Sequence, residues 1–243
     1  MGKEFFYAGR DLEAMSFAAN YHRWILSAFA PYLGTRMVEV GAGTGLFSEL
    51  LLTRPAESLA LVEPSDAMYR VLRQRVEQLR PAAEVRTYNA IFVDVASRLK
   101  EEQRPDSIIY VNVLEHIADD ALELRLIRQT LADRGRAFIF VPALPWLYGN
   151  FDREVSHFRR YTKPELEGKC RREGFKILKL DYFDLMGVLP WWVQYRLLRA
   201  STLNPRAVRI YDRYAVPVTR AIESVITPPL GKNLLLIVEK TDD

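Results

Sequence analysis

Two carboxylates frame a glycine turn in this sequence: Glu39 stands just before Gly41-Ala42-Gly43-Thr44-Gly45, and Glu63 closes the next apolar run. Glycines two apart allow a tight turn and let backbone approach a ligand with no Cβ in the way. A dinucleotide fingerprint reads G-x-G-x-x-G, and its third glycine falls here on Leu46. A pyrophosphate would also gain nothing from Glu39, whereas a cationic ligand would. A carboxylate at the end of the second strand can accept both hydroxyls of a ribose. A ligand with a ribose, a positive charge and no phosphate is S-adenosylmethionine.

A second set of reactive residues follows in "WLYGNFDREVSHFRRY" (146–161). His157 is the candidate general base, because imidazole titrates near neutrality; anchoring the segment by hydrogen bonds is its alternative role. Arg159 and Arg160 could hold a carboxylate or phosphate of an acceptor, or pair with Asp152 or Glu154. Tyr148, Asp152 and Tyr161 are weaker candidates there. His116, in "LEHI", could touch the ligand or orient its loop. No catalytic triad and no metal-ligand set is read from the sequence.

These groups must be held by elements that the apolar pattern predicts. Residues 11–33 carry Leu12, Met15, Ala19, Leu26 and Phe29 at helical spacing. Short apolar runs end at Val40 and Glu63, "EVRTYNA" (84–90) and "DSIIYVNV" (106–113) read as further strands, and "RAFIFVP" (136–142) as a fifth. Helices alternate with them, Asp119 capping one of these, which predicts a parallel sheet covered on both faces. Thr162-Lys163-Pro164-Glu165 is a capping box. "FKILKLDYF" (175–183) and "NLLLIVEK" (233–240) supply the last two strands.

The motifs "VEVGAGTGLFS", "LVEPS", "SIIYVNVLEHIADD" and "GRAFIFVPA", in that order, resemble those of class I S-adenosylmethionine-dependent methyltransferases. "PALPWLYGNFDREVSHFRRYTKPEL" and "YFDLMGVLPWW" resemble a bacterial subgroup with a "GHxRRY" element. This sequence departs from that subgroup at Ser156, where it has Gly, and at Asp184, where it has Asn. The resemblance implies a Rossmann-like α/β fold, a seven-stranded, mostly parallel sheet with helices on both faces and a helical C-terminal insertion. It implies one methyltransferase domain over 1–243: a helical cap at 1–35, a cofactor-binding core at 36–142, an active-site lid at 143–161 and a helical, aromatic insertion at 184–231. It further implies that Gly41, Ala42, Gly43 and Gly45 line the methionine and ribose, that Glu39 lies near the ammonium and that Glu63 holds the ribose. Pro64 and Met68 would pack on adenine, Asn89 and Ala90 would flank it, and Asn112 and Val113 would lie beside the sulfonium. Tyr21, on the first predicted helix, could close over the cofactor or simply pack in the core.

Composition sets outer limits. With 243 residues, 49% hydrophobic and 27% charged, the chain reads as globular. A formal charge of +3 does not call for nucleic acid. The single cysteine, Cys170, excludes an internal disulfide and reads as a buried structural thiol. No signal peptide, myristoylation signal or membrane span is read, so the cytoplasm is the expected compartment. From 192 to 220, six arginines face one acid, Asp212, just after the uncharged, aromatic "LMGVLPWWVQY". That pattern suits a cap over a greasy, acidic acceptor, with Trp191 in its wall, or peripheral contact at the inner membrane face. A plain helical lid is the alternative.

The expected function is methyl transfer to a small or lipid-like, acidic acceptor. Oxygen leads as the methylated atom because His157 could deprotonate it; nitrogen and carbon stay open. A non-catalytic S-adenosylmethionine-binding protein and a nicotinamide oxidoreductase are the rivals. No nucleic acid and no obligate protein partner is expected.

Overall fold

A computed structural model of the chain describes residues 18–241. Five parallel strands make up most of the sheet: β1 (Arg36–Val40), β2 (Ser58–Val62), β3 (Glu84–Tyr88), β4 (Ser107–Val111) and β5 (Arg136–Pro142). β6 (Phe175–Phe183) and β7 (Asn233–Lys240) complete it in the order β3-β2-β1-β4-β5-β7-β6, with β7 antiparallel to both neighbours. This is the Rossmann-like methyltransferase fold expected above. The edge strand β3 alternates exposed Glu84 and Arg86 with half-buried residues, which suits a strand with one unpaired side. β1, β2, β4 and β5 are buried on both faces.

Alternate side chains feed two cores. Val38, Ala60, Ile108 and Ile139 face one layer, with α4 (Phe92–Glu102), α5 (Asp120–Thr130) and α7 (Lys163–Arg172). Met37, Leu59, Ile109 and Phe138 face the other, with α1 (Ala19–Phe29), α2 (Leu46–Leu51) and α3 (Asp66–Leu79). Asp119 accepts the amide hydrogen of Leu122, and Thr162 that of Glu165, so each residue caps its helix; the Thr162 bond is one half of the predicted capping box. Cys170 is buried on α7, and burial pushes its thiol up to about 12, as a structural thiol requires.

The first described helix, α1, begins at Ala19 and ends at Phe29, the last residue of the predicted helical spacing; Leu12 and Met15 lie outside the described residues. Ala18 gives α1 no side-chain cap. Asp212 supplies one from far along the chain, its carboxylate accepting the amide hydrogens of Tyr21 (2.8 Å) and Asn20 (3.1 Å).

The strand order reverses between β1 and β4, and ligands bind at the carboxyl ends of strands at such a point. Residues 143–161, with α6 (Asn150–Glu154), leave β5 at that edge. Between β6 and β7 lie α8 (Val188–Trp191), a π-helical turn (Trp192–Leu197), α9 (Pro205–Ile210), a second π-helical turn (Tyr211–Ala215) and α10 (Val216–Glu223). Such π segments are rare and frequent at functional sites; here both contribute side chains to the cavity described next.

Candidate active site

A cavity of about 700 Å³ opens over the carboxyl ends of β1, β2 and β4 and runs on beneath the 143–161 segment and the insertion. Its first half is built on the glycine turn. Gly41 and Ala42 donate to the Val62 carbonyl at 2.8 and 3.1 Å, which fixes the turn to β2. Gly41 has φ +70°, and a Cβ there would lie 2.4 Å from Val113 Cγ2, so only glycine fits. Gly43 lines the cavity; Gly45 does not. Gly45 faces α3, where a Cβ would meet Leu72 Cδ1 at 2.8 Å, and it serves close packing instead.

Glu39 is 3% exposed, and its carboxylate accepts a hydrogen bond from the Ser48 hydroxyl. No cationic side chain among the described residues pairs with it, and burial raises its pKa to about 8. Glu63 is also buried. Its Oε2 accepts from Gly43 N and its Oε1 from Ser65 N, both at 2.8 Å. Burial pushes its pKa up against those two bonds. Pro64, Met68, Ala90, Ile91 and Phe92 form an apolar slot beside it. Asn89 does not line the slot. Its side-chain nitrogen donates to the carbonyls of Glu63 (3.1 Å) and Pro64 (3.3 Å), so it holds the loop that carries the acid. Asn112, at φ +53°, and Val113 line the cavity between the glycine turn and the acceptor side.

The second half centres on Asp152, which is fully buried. It accepts from Gly149 N (2.8 Å), His157 Nδ1 (2.9 Å) and Arg160 Nε (2.8 Å). Burial would raise its pKa, but His157 and Arg160 hold it below the usual range. In a neutral His157 ring, an ionised Asp152 selects the tautomer with its proton on Nδ1 and its lone pair on Nε2. That nitrogen lies 3.8 Å from Glu115 Oε1, and the His157 and His116 rings are 4.6 Å apart. Burial and His157 push the pKa of His116 down to about 3, so its ring is neutral.

Several acceptor-side expectations need correction. Arg159 does not line the cavity: it bridges Asp120 at 2.6 Å and donates to the Ala118 carbonyl at 2.7 Å. Arg160 lines it, but its Nε is committed to Asp152 and its guanidinium stacks over Trp191 at 4.8 Å. Tyr161 is buried against Asp120 (2.9 Å), and Tyr148 donates to the His157 carbonyl (2.7 Å); neither reaches the cavity. Trp191 does, as does Tyr21, whose hydroxyl donates to Asn233 Oδ1 at 3.0 Å.

Lys232 is the cation that sequence reasoning missed. Its Nζ lies 3.2 Å from Asp184 Oδ2, 4.8 Å from the Tyr21 ring and 5.3 Å from the Trp191 ring. Because β7 runs antiparallel, the residues just before it fall at the carboxyl edge of the parallel strands. The signal was present in "GKNLLL", but it needs the strand direction to be read. Ser156 and Asp184, the two departures from the subgroup pattern, have φ +62° and +66°. Both positions need the left-handed conformation that Gly and Asn adopt most easily.

The model of a methyltransferase domain matches residues 13–180, more than half of the chain. The chain belongs to the methyltransferase-domain family. S-adenosylmethionine is accordingly its cofactor, and the site fits it. The glycine turn leaves room that a Cβ would fill, Glu63 keeps a lone pair on each oxygen for a ribose hydroxyl, and Glu39 offers a buried carboxylate to an ammonium. No curated protein matches the sequence significantly. Among solved structures, the fold is similar to a methyltransferase from Archaeoglobus fulgidus described as S-adenosylmethionine-dependent (17% identity, 94% of this chain, 98% of that one, TM-score 0.59). It is also similar to 1,6-didemethyltoxoflavin-N1-methyltransferase from Burkholderia thailandensis (18% identity, 96% and 83% coverage, TM-score 0.59). The 4+2 cyclase SpnF shares it as well (14% identity, 93% and 81% coverage, TM-score 0.61). At such identities the family domain shares its architecture with more than one chemistry.

Proposed function

We propose that this methyltransferase-domain protein transfers the methyl group of S-adenosylmethionine to the oxygen of a small or lipid-like acceptor that carries an acidic group. The observation that carries the reading is the single cavity joining the Glu39–Glu63 glycine turn to the Asp152–His157 pair. Methyl transfer is an in-line displacement on an activated carbon, so alignment and exclusion of water supply most of the rate, ~7–11 kcal/mol of barrier. The Gly41 turn and Val113 would place the sulfonium, and the acceptor would lie between it and His157. A hydroxyl or carboxyl acceptor must lose its proton first, and His157 Nε2 holds the one lone pair here that Asp152 has oriented. Lys232 and Arg160 would meet the acceptor's acidic group.

The insertion supports a lipid-like acceptor. Leu189, Leu197, Leu198, Ile210 and Val225 are exposed among six arginines, a surface suited to the headgroup region of an anionic bilayer. Among the described residues no helix is long and apolar enough to cross a membrane, so the contact would be peripheral. Flotation with anionic and with neutral vesicles tests it: equal absence from both vesicle fractions would remove the membrane from this account.

Methyl transfer is tested by incubating the protein with S-adenosylmethionine and amphipathic carboxylic, phenolic and phosphorylated acceptors. Release of S-adenosylhomocysteine with a methyl ether or ester as product is expected, and its loss in His157→Ala. A product methylated on nitrogen or carbon would correct the acceptor atom. A second reading, a protein that binds the cofactor and transfers no methyl, draws on the shared fold of the cyclase. Cofactor binding without S-adenosylhomocysteine release from any acceptor would favour it.

A further inference from the structure

Glu115 is a fully buried carboxylate that accepts no hydrogen bond from another residue, through either oxygen. Burying such a group without partners is costly, and structures retain it where a ligand completes it. Its nearest basic group is His157 Nε2, at 3.8 Å. One ligand atom from each of Glu115, His116 and His157 can be chosen so that all three lie within 4.8 Å of one another. The contact is built in by the backbone: Phe158 N donates to the Glu115 carbonyl at 2.8 Å, and His157 N to the Asp152 carbonyl at 2.8 Å. The first bond pins the segment after β5 onto the short helical turn Leu114–His116 after β4, and the second closes that segment on itself.

We propose that Glu115, His116 and His157 bind one divalent transition-metal cation, of the Zn²⁺, Mn²⁺ or Fe²⁺ class, in the wall of the acceptor half of the cavity. Two imidazoles and one carboxylate suit such ions better than Mg²⁺ or Ca²⁺, which prefer oxygen alone. Bonds of ~2.1 Å to a shared ion let two ligand atoms lie at most ~4.2 Å apart, so a small side-chain rotation closes the cluster. The outer shell is already in place. A metal-bound histidine typically donates its other ring N–H to a carboxylate, and His157 Nδ1 has Asp152 Oδ1 at 2.9 Å.

His116 and His157 both line the cavity, so positions on the ion not taken by protein would face the acceptor. There the inference deepens the methyltransferase reading and rests on it. An acceptor hydroxyl on the ion would release its proton to water, its oxygen would bond to the methyl carbon, and the carbon–sulfur bond would break to leave S-adenosylhomocysteine. His157 Nε2 would then hold the ion in place of the proton.

The test is metal binding itself. Purified full-length protein, stripped with a chelator, is titrated with Zn²⁺ by calorimetry and with Co²⁺ by visible absorption. Each sample is also titrated with S-adenosylhomocysteine. One ion per chain is expected, with a cobalt spectrum of nitrogen and oxygen ligands and no thiolate band from Cys170. Binding should weaken at least tenfold in Glu115→Gln and His116→Ala, and 10–100-fold in Asp152→Asn. No stoichiometric Zn²⁺ binding to the wild type, a thiolate band, or undiminished binding in both ligand variants would overturn the site. If a variant does not fold, the wild-type stoichiometry and spectrum still decide. S-adenosylhomocysteine binding with no metal would sink this inference alone; metal binding with no S-adenosylhomocysteine binding would sink the methyltransferase reading instead.

Discussion

Glu63 Oε2 accepts the amide hydrogen of Gly43 at 2.8 Å, so the acid at the end of β2 and the middle glycine of the β1 turn form one unit. The bond sets the turn's shape and aims the carboxylate into the cavity, where each oxygen keeps a lone pair. Sequence alone places the two residues on different strands. The sheet register, with Val40 opposite Val62, brings them together.

Removing that carboxylate should weaken the cofactor more than the fold. Hydrogen bonds to a charged group contribute about 1.5–3 kcal/mol each. With one such bond to each ribose hydroxyl, Glu63→Ala is therefore expected to loosen S-adenosylhomocysteine by roughly 100-fold or more, read by calorimetry, while the far-ultraviolet circular dichroism stays native. Unchanged affinity would refute the ribose assignment.

Glu39 makes a pH prediction. Burial raises its pKa from an ordinary 4.5 to about 8 in the folded chain. Between those values the folded state holds a proton that the unfolded state has released. The stability this contributes is full below pH 4.5 and is lost as pH rises through 8. An ammonium near Glu39 favours its ionised form, so cofactor binding should release that proton and tighten up to about pH 8. Glu39→Gln is expected to remove both dependences. Denaturant melts and calorimetry over pH 5–9, compared with the wild type, measure them; identical slopes in the two proteins would contradict the assignment.

Ser156 is held at φ +62°. A left-handed conformation costs an L-residue about 1–2 kcal/mol, and glycine's freedom in the unfolded chain takes back part of the gain. Ser156→Gly should stabilise the protein by about 1 kcal/mol, a rise of roughly 2–4 °C in Tm for a domain of this size. A fall in Tm would mean that the serine makes a contact worth more than its strain.

Asp212 joins the insertion to α1. Without its carboxylate, the amides of Asn20 and Tyr21 lose their acceptor. Asp212→Ala is expected to lose about 2 kcal/mol in urea unfolding. Because Tyr21 lines the cavity, S-adenosylhomocysteine affinity should fall with it. Loss of stability with unchanged affinity would separate α1 from the cofactor site.

The buried strands β1, β2, β4 and β5 are legible because each is a short apolar run with a turn signal at its end; β6 and β7 match their predicted limits residue for residue. The cofactor half of the site was legible too, since the glycines and both acids lie within one strand–turn–strand stretch. The acceptor half was not. Arg159 and Arg160 are neighbours with the same chemistry in sequence, yet one bridges Asp120 outside the cavity and the other lies in its wall. Only packing separates them. Lys232 and Asp212 act at the site through the direction of β7 and the fold of the insertion, which no local pattern encodes. In sequence, Glu115 is one acid beside His116 in "LEHI". Its pairing with His157 depends on two segments crossing after β4 and β5.

Thermal unfolding with S-adenosylhomocysteine, and with NADH in a parallel sample, tests the central claim most directly. A ligand at a hundred times its Kd adds ~2.7 kcal/mol, which is roughly 5–10 °C for a chain of this size. A shift of that order with S-adenosylhomocysteine and none with NADH is the expected result. A shift with NADH alone would contradict the assignment of the glycine turn, Glu39 and Glu63.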